Sequence, residues 1–258
     1  MGPAIAGINS GQESLRMKVK AFVVTIVLLM AALAVAQTSE KPPQSAGNVS
    51  PAGPNDLRTV LTQMNTASKT FKTAQADFQW DQYQKVVDET DVQKGQMFLK
   101  RTGKGMDAAL QITSPDPKQV VFKDGKLRFY QPKIDQVTER DASSNRGDVE
   151  SFMSLGFGGS GDDLEKSYEV KMDGWEQIDG IKTAKLELTP KSEKIKASLS
   201  KVILWIDPAR DVSIRQQFLQ PSGDYRVAHY ANIKINTSIP DDVFKLKTTS
   251  KTKVVKAQ

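Results

Sequence analysis

Residues 95–136 read GQMFLKRTGKGMDAALQITSPDPKQVVFKDGKLRFYQPKIDQ, a run of short strands separated by turns. Side chains alternate between the two faces of a strand, so Met97, Leu99 and Arg101 share one face of the first strand. The second strand also has one apolar face, made by Met106, Ala108, Leu110 and Ile112. The stretch therefore predicts an antiparallel meander with an apolar face. Arg101 lies on that face, where a charged side chain needs a partner.

Turn signals divide this meander. Pro115 and Pro117 interrupt the chain because proline fixes φ and has no N–H to donate to a neighbouring strand. The pair Asp124-Gly125 is typical of a hairpin turn between strands at 120–123 and 126–130. Each predicted strand therefore pairs with the next one along the chain.

The N-terminus has the pattern of a secretory signal peptide. Three basic residues precede an unbroken apolar run at 21–36, which ends in the small-x-small sequence AVA. We expect residues 1–36 to be removed before Gln37, with either Met1 or Met17 as the initiator. A retained membrane anchor is the alternative, but a span needs about 20 apolar residues and this run is shorter.

The remainder is predicted to contain a linker, one folded domain and a tail. Residues 37–54 are rich in Pro, Ser, Gly and Gln, which is typical of a disordered linker, and residues 248–258 form a basic tail. The domain at 55–247 begins with an amphipathic helix. Its apolar stripe has the spacing of three and four residues expected of a helix, at Leu57, Val60, Leu61, Met64, Ala67 and Phe71.

A polar, glycine-rich segment at 140–163 interrupts the strands. It contains one apolar island, made by Val149, Phe152, Met153, Leu155 and Phe157. We interpret the island as a short, mobile amphipathic helix in a long loop, and long loops often act as lids. The sequence GFGGSG at 156–161 has the residue pattern of a dinucleotide-binding motif. No βαβ unit surrounds it, so we interpret it as part of the lid loop.

Strands resume after this segment and continue nearly to the end of the domain. They recur every 8–12 residues, with turns predicted at Asp173-Gly174, Asp179-Gly180 and Asp207-Pro208 and a last strand considered at 244–246. About ten or eleven antiparallel strands form too large a sheet to lie flat, so it should curl strongly. The first helix could then enter its concave side.

Composition excludes several kinds of chemistry. The chain has no cysteine, which excludes disulfides, thiolate metal sites, cysteine nucleophiles and a lipid anchor on cysteine. His229 is the only histidine, too few for a histidine metal site, and no nucleophile–base constellation appears in the sequence. The net charge of +6 is scattered among acids and does not predict nucleic-acid binding. Asp162-Asp163 and Asp241-Asp242 could bind a cation, but acids near turns are usually solvated. We expect no cofactor, no metal and no enzymatic activity.

Several strings, taken in order, resemble the LolA family of periplasmic outer-membrane lipoprotein carriers. They are 95–101, PDPKQVV at 115–121, DGK at 124–126, FYQP at 129–132, DQV at 135–137, LELTPK at 186–191 and IPDDVF at 239–244. The resemblance extends over residues 55–247. It implies an α+β, mostly β fold: an unclosed antiparallel β-barrel of about eleven strands, with amphipathic helices lidding a hydrophobic cavity for acyl chains.

The resemblance also implies roles for particular residues. LolA-type carriers hold the lid closed through an arginine in a Lys-Arg-Pro segment, and Arg101 matches it, although Thr102 replaces the proline. The family's Pro-x-Gly ending is absent from the C-terminus. The expected lid residues are Val149, Phe152, Met153 and Leu155. The expected acyl-chain cavity is lined by Phe78, Trp80, Met97, Leu99, Leu110 and Ile112.

The function implied is that of a monomeric periplasmic carrier. It would take acylated lipoproteins from an inner-membrane release complex to an outer-membrane acceptor. Two alternatives stay open: a carrier of another lipid or a glycolipid, and an envelope stress-sensing regulator that binds lipid.

Overall fold

A computed structural model describes residues 49–257, and its strands form one sheet. The strands are β1 Val49–Ser50, β2 Thr73–Gln84, β3 Glu89–Thr102, β4 Gly105–Ser114, β5 Lys118–Lys123, β6 Lys126–Gln131, β7 Gln136–Asp141, β8 Tyr168–Ile178, β9 Ile181–Pro190, β10 Lys201–Asp207, β11 Val212–Leu219, β12 Tyr225–Ile235 and β13 Lys253–Lys256. The helices are α1 Asp56–Thr70, α2 Arg146–Met153, α3 Gly161–Ser167 and α4 Glu193–Lys196.

The sheet is an unclosed antiparallel barrel. Its strand order is β1-β8-β9-β10-β11-β12-β2-β3-β4-β5-β6-β7-β13, and the edge strands β1 and β13 do not pair with each other. Every neighbouring pair is antiparallel except β7 and β13, which are parallel. This confirms the predicted fold class, with thirteen strands in place of about eleven. The two short edge strands explain part of the difference, since β1 comes from the predicted linker and β13 from the predicted tail.

Two local predictions were wrong. The pair Asp173-Gly174 does not turn the chain, because β8 continues through it and pairs with β9 on both sides of an irregularity between Met172 and Trp175. A bulge absorbs the two residues that the sequence marked as a turn. Residues 244–246 do not form a strand. The 3₁₀ turn Asp241–Phe244 instead buries Phe244 against β4 and β5, on the face opposite to α1.

The amphipathic helix is confirmed as α1. Its stripe residues Val60, Leu61 and Met64 are buried against β9 and β10. At the start of the helix, Nε1 of Trp175 donates a hydrogen bond of 2.7 Å to Asp56, which lowers the pKa of that carboxyl. The helix therefore occupies one half of the inner face, the face of the sheet on which α1 lies.

The segment at 140–163 contains two helices. Val149, Phe152 and Met153 of the predicted apolar island lie in α2, whereas Leu155 and Phe157 follow it, and α3 was not predicted. Ser160 caps α3 by accepting a hydrogen bond of 3.1 Å from the backbone N–H of Asp163. The glycine at the first position of α3 permits a close approach to α1, because a Cβ on Gly161 would lie 2.5 Å from the carbonyl oxygen of Leu61.

The chain ends on the edge of the sheet. Asp135 accepts hydrogen bonds from the hydroxyls of Thr249 and Thr252, at 2.8 and 2.6 Å, and both bonds lower the pKa of its carboxyl. These contacts lead the chain into β13, where Val254 pairs with Val137.

Two sequence predictions concern the N-terminus. The signal peptide at 1–36 and the first part of the linker at 37–54 lie outside the described residues, whereas Val49–Ser50 pairs with β8. Between residues 49 and 257 no helix is long and apolar enough to cross a bilayer.

Candidate functional site

The inner face carries two apolar clusters that are covered in different ways. The first, which we call the helix cluster, packs α1 against β9 and β10 through Leu186, Leu188, Val202, Leu204 and Ile206. The second, which we call the lid cluster, lies over β2 to β6 and includes Phe71, the residue that directly follows α1, but none of the α1 side chains of the helix cluster. One half of the inner face is therefore filled by the protein's own first helix. The other half is covered by a different segment.

All six residues predicted to line the acyl-chain cavity lie in the lid cluster. Phe78, Met97, Leu99 and Ile112 are buried there, and Trp80 and Leu110 are partly buried against them. The rings of Phe78 and Trp80 are stacked with 4.4 Å between their centroids. The alternation of β2, β3 and β4 brings these side chains together, as the sequence pattern indicated.

The cover of the lid cluster is residues 146–158, which we call the lid segment. Val149 and Met153 pack into the lid cluster, and Phe152 and Leu155 pack into the helix cluster. The four predicted lid residues therefore bridge the two clusters. Phe157, which was not among them, is buried in the lid cluster and contacts Tyr230 edge to face, with ring centroids 4.9 Å apart.

Arg101 lies where α1, β3 and the lid segment meet. Its Nη1 donates to the carbonyl oxygen of Ser68 at 3.0 Å, and its Nη2 donates to that of Gly158 at 2.8 Å. The guanidinium also lies over the ring of Phe71, 5.5 Å from the centroid. One side chain thus joins the end of α1 to the end of the lid segment. Both acceptors are backbone carbonyls, so the contact depends on the backbone positions of Ser68 and Gly158.

Thr102, which replaces the family's proline, has its own place in the β3–β4 turn. Its hydroxyl donates to the carbonyl oxygen of Gly105 at 3.2 Å and accepts from the N–H of Lys104 at 3.3 Å. The substitution therefore leaves Arg101 at the end of a regular strand that closes in a tight turn.

A second set of contacts at the lid segment was missed from the sequence. Nε2 of Gln216 donates to the carbonyl oxygen of Leu155 at 2.7 Å, and its Oε1 accepts from the hydroxyl of Tyr230 at 3.1 Å. The N–H of Ser213 donates to the carbonyl oxygen of Gly156 at 2.8 Å. Burial raises the pKa of Tyr230, so the phenol keeps its proton and can donate. The sequence feature that could have revealed these contacts is Gln216 itself, a polar residue at an inward-facing position of β11, where an apolar residue is expected.

Glu150 fixes the other end of the lid segment. Its Oε1 accepts from Nε of Arg146 at 2.6 Å and from the N–H of Met106 in β4 at 3.2 Å. The lid segment is thus attached to the sheet by hydrogen bonds at Glu150, at Leu155 and Gly156, and at Gly158.

We expect Gln216→Leu to lower the free energy of unfolding by about 1–3 kcal/mol, since it leaves the Leu155 carbonyl and the Tyr230 hydroxyl without their partner. Tyr230→Phe removes a single hydroxyl and should cost about 1 kcal/mol or less. Urea unfolding measures both values. Equal stability of Gln216→Leu and the wild type would show that the glutamine does not hold the lid segment.

The other candidate residues, His229 and the two acidic pairs, contact neighbouring side chains of the protein itself. His229 lies on the outer face, with Nε2 3.7 Å from a carboxylate oxygen of Asp81, and burial lowers its pKa. Asp162 accepts a hydrogen bond of 2.7 Å from Asn65, and Asp241 forms an ion pair of 2.7 Å with Lys100. Within residues 49–257, no three side chains of the metal-binding types are grouped so that they could hold an ion.

An unclosed sheet with an apolar inner face beneath a hydrogen-bonded lid segment is the architecture of a lipid- or lipoprotein-binding protein. The chain belongs to the LolA family, since the family described as outer membrane lipoprotein carrier protein LolA matches residues 69–247. The family predicted from the sequence is therefore confirmed, and the description of the family is that of a carrier.

Solved structures resemble the chain at low sequence identity. A conserved protein from Thermus thermophilus has a TM-score of 0.51 and 11% identity, over 78% of this chain and 98% of that one. The Mycobacterium tuberculosis lipoprotein LppX has a TM-score of 0.47 and 13% identity, over 73% and 99%. A chain of the Pseudomonas aeruginosa MucA/MucB complex has 0.47 and 14%, over 74% and 61%. None of the curated proteins compared with the chain matches it significantly.

Proposed function

We propose that this protein is a periplasmic carrier that holds the acyl chains of lipoproteins in the lid cluster. The observation that supports it is the difference between the two clusters of the inner face. α1 packs on the helix cluster, whereas the lid cluster is covered by the lid segment, which hydrogen bonds attach to the sheet. Movement of the lid segment would expose the lid cluster and withdraw Phe152 and Leu155 from the edge of the helix cluster, while α1 could stay packed on β9 and β10.

The energetics suit reversible binding. Burial of one methylene group stabilises a complex by about 0.8 kcal/mol, so about ten methylenes contribute on the order of 8 kcal/mol. The displaced lid segment loses a few hydrogen bonds of about 1 kcal/mol each, together with part of its own apolar contacts. Binding can therefore be tight, and a partner protein that favours the return of the lid segment to its closed position can promote release.

The lid segment supplies the two states that such a cycle needs. In the closed state Arg101 joins the lid segment to α1, and we propose that it acts as the latch. In the loaded state the acyl chains replace Val149, Met153 and Phe157 against the lid cluster. The carrier would act as a monomer, receiving cargo from an inner-membrane release complex and delivering it to an outer-membrane acceptor. It would act without a cofactor and without catalysis.

Tryptophan quenching tests where an acyl chain binds. The chain has three tryptophans, of which Trp80 lies in the lid cluster, Trp175 packs beside α1 and Trp205 lies in a separate cluster on the outer face. A stearate brominated at mid-chain quenches indoles that it contacts. We expect it to quench the wild type and Trp205→Phe alike, and to lose most of its effect in Trp80→Phe.

Each outcome of this experiment has a clear meaning. Loss of quenching in Trp80→Phe, with lipid mass still bound in a native mass spectrum, supports an acyl chain in the lid cluster. Unchanged quenching in Trp80→Phe would place the chain elsewhere. No quenching and no bound mass in any variant would contradict the carrier proposal, and would leave a regulator that binds a partner protein as the better hypothesis.

A further inference from the structure

A buried arginine with an unused donor lies on the inner face beside the lid cluster. Arg226 of β12 is only 4% exposed, and its Nε donates to Oε1 of Gln82 at 2.8 Å. Its guanidinium stacks on Trp80, with 5.0 Å from Cζ to the ring centroid. In the described part of the chain, its Nη1 is buried and has no hydrogen-bond partner, and no carboxylate forms an ion pair with the group.

An arrangement of this kind is costly for the folded protein. A buried cation requires a counter-ion or a full set of hydrogen bonds, and Arg226 has one neutral amide and one aromatic ring. Burial lowers the pKa of the guanidinium to about 10, which still leaves it charged at neutral pH. A buried charged donor without a partner therefore indicates a partner that arrives with a ligand.

A second unpartnered polar atom lies on the same strip of the sheet. Gln93 of β3 is paired directly with Trp80 of β2, and directly paired residues share a face. Its Oε1 is buried and has no hydrogen-bond partner among the described residues. Trp80 thus lies between Arg226 on one neighbouring strand, which has a donor without a partner, and Gln93 on the other, which has an acceptor without a partner.

The inner face is graded in polarity along β2 and its neighbours. The end near Arg101 is apolar, with Ala74 and Ala76 paired to Leu99 and Met97. Phe78 and Trp80 follow, and beyond them the inward positions become polar. These polar positions are Gln82, Gln84, Asp91, Gln93 and Arg226. Such a gradient suits an amphipathic ligand with its chain under the lid segment and its polar end beside Arg226.

We propose that Arg226 binds the anionic oxygens at the head of a single acylated lipid, a carboxylate or a phosphate, whose chain lies in the lid cluster. This inference rests on the acyl-chain site of the proposed function, and it adds an anionic lipid as a ligand of that site beside the ester-linked chains of a lipoprotein. An anionic oxygen beside Nη1 supplies the charge and the acceptor that Arg226 lacks. A fully esterified chain offers only neutral carbonyl oxygens at that position and binds less tightly.

Competition between a fatty acid and its ester tests the anion. Oleate and methyl oleate carry the same chain, and each can displace a neutral fluorescent acyl probe from the wild-type protein. We expect oleate to act at a concentration at least tenfold lower than methyl oleate. In Arg226→Met the two should act within about twofold of each other, and this variant should unfold at the same or a higher temperature, since it removes a buried charge without a counter-ion.

Arg215→Met is the matched control. Arg215 lies on the neighbouring strand β11, stacks on Trp205 with 4.8 Å from Cζ to the centroid, and also has a buried nitrogen without a partner. It faces the outer side of the sheet, so Arg215→Met should keep the tenfold preference for oleate.

The remaining outcomes separate this inference from the proposed function. Equal displacement by acid and ester in the wild type would overturn the anion site while leaving the carrier intact, and this comparison needs no variant. If neither compound displaces the probe, both proposals fail. Inorganic phosphate alone, added without a chain, should neither displace the probe nor raise the unfolding temperature. A rise that Arg226→Met abolishes would identify a site for free anions and overturn the lipid assignment.

Discussion

Replacement of Arg101 by leucine is expected to tighten the binding of an acyl probe about tenfold and to slow its transfer to acceptor vesicles. Cargo that lies under the lid segment binds the opened form, so each contact that stabilises the closed form weakens cargo binding. Arg101 contributes two hydrogen bonds to the closed form, which its guanidinium donates to the carbonyls of Ser68 and Gly158. At about 0.5–1 kcal/mol for each partly exposed bond, their loss corresponds to about a tenfold change.

Two further variants control this prediction. Arg101→Lys keeps the charge but lacks the fork that reaches both carbonyls, so its affinity should lie between those of the wild type and Arg101→Leu. Arg128→Leu removes an arginine from β6 of the same meander, where it pairs with Glu139 at 2.7 Å and does not touch the lid segment. Its probe affinity should not change. Unchanged affinity and transfer in Arg101→Leu would show that the arginine is not a latch.

Leu204→Ala is expected to lower the free energy of unfolding by about 3 kcal/mol, within the range of about 2–5 kcal/mol for fully buried leucines. Leu204 of β10 is 0% exposed and lies in the helix cluster, where α1 packs on the sheet. Because α1 already fills that half of the inner face, the probe affinity of the folded variant should stay the same. Urea unfolding and a probe titration on the same sample separate the two effects.

Leu99→Ala is the counterpart of this variant in the lid cluster. It removes a side chain that we expect the ligand to contact, so probe affinity should fall several-fold while the protein remains folded. Ile134→Ala, at a position that is 59% exposed, should change neither quantity by a measurable amount. Similar effects of Leu204→Ala and Leu99→Ala on probe affinity would contradict the division of the inner face into two clusters.

Much of the fold could be predicted because its signals are local. The alternation at Met97 and Leu99 and the three–four spacing of Val60, Leu61 and Met64 fix which side chains turn inward, and the structure buries them. Asp173-Gly174 was misread because the same dipeptide suits a turn and a bulge, and only pairing with β9 decides between them. The pairing of β13 with β7 joins distant segments, and the local sequence of the tail carries no signal for it.

Only part of the candidate site could be predicted, because some of its residues are placed by pairing between distant strands. The six apolar residues and Arg101 were identified from strand phase and family resemblance, which together indicate a face and a motif. Gln216 and Arg226 were missed because a polar residue in a strand is ordinarily assigned to the solvent side. Their inward direction follows from the register of β11 against β12 and of β12 against β2. That register depends on contacts between segments far apart in the chain.

The last strand has a consequence for how copies of this protein behave when crowded. An unclosed sheet offers free N–H and C=O groups at its margins, and such margins invite pairing between molecules. Without β13 the margin on one side would be β7, with six residues able to take a foreign strand. The chain places its own four-residue segment there, with a lysine at each end, Lys253 and Lys256. A short edge strand with a positive charge at each end is expected to disfavour edge-to-edge pairing of neighbouring copies.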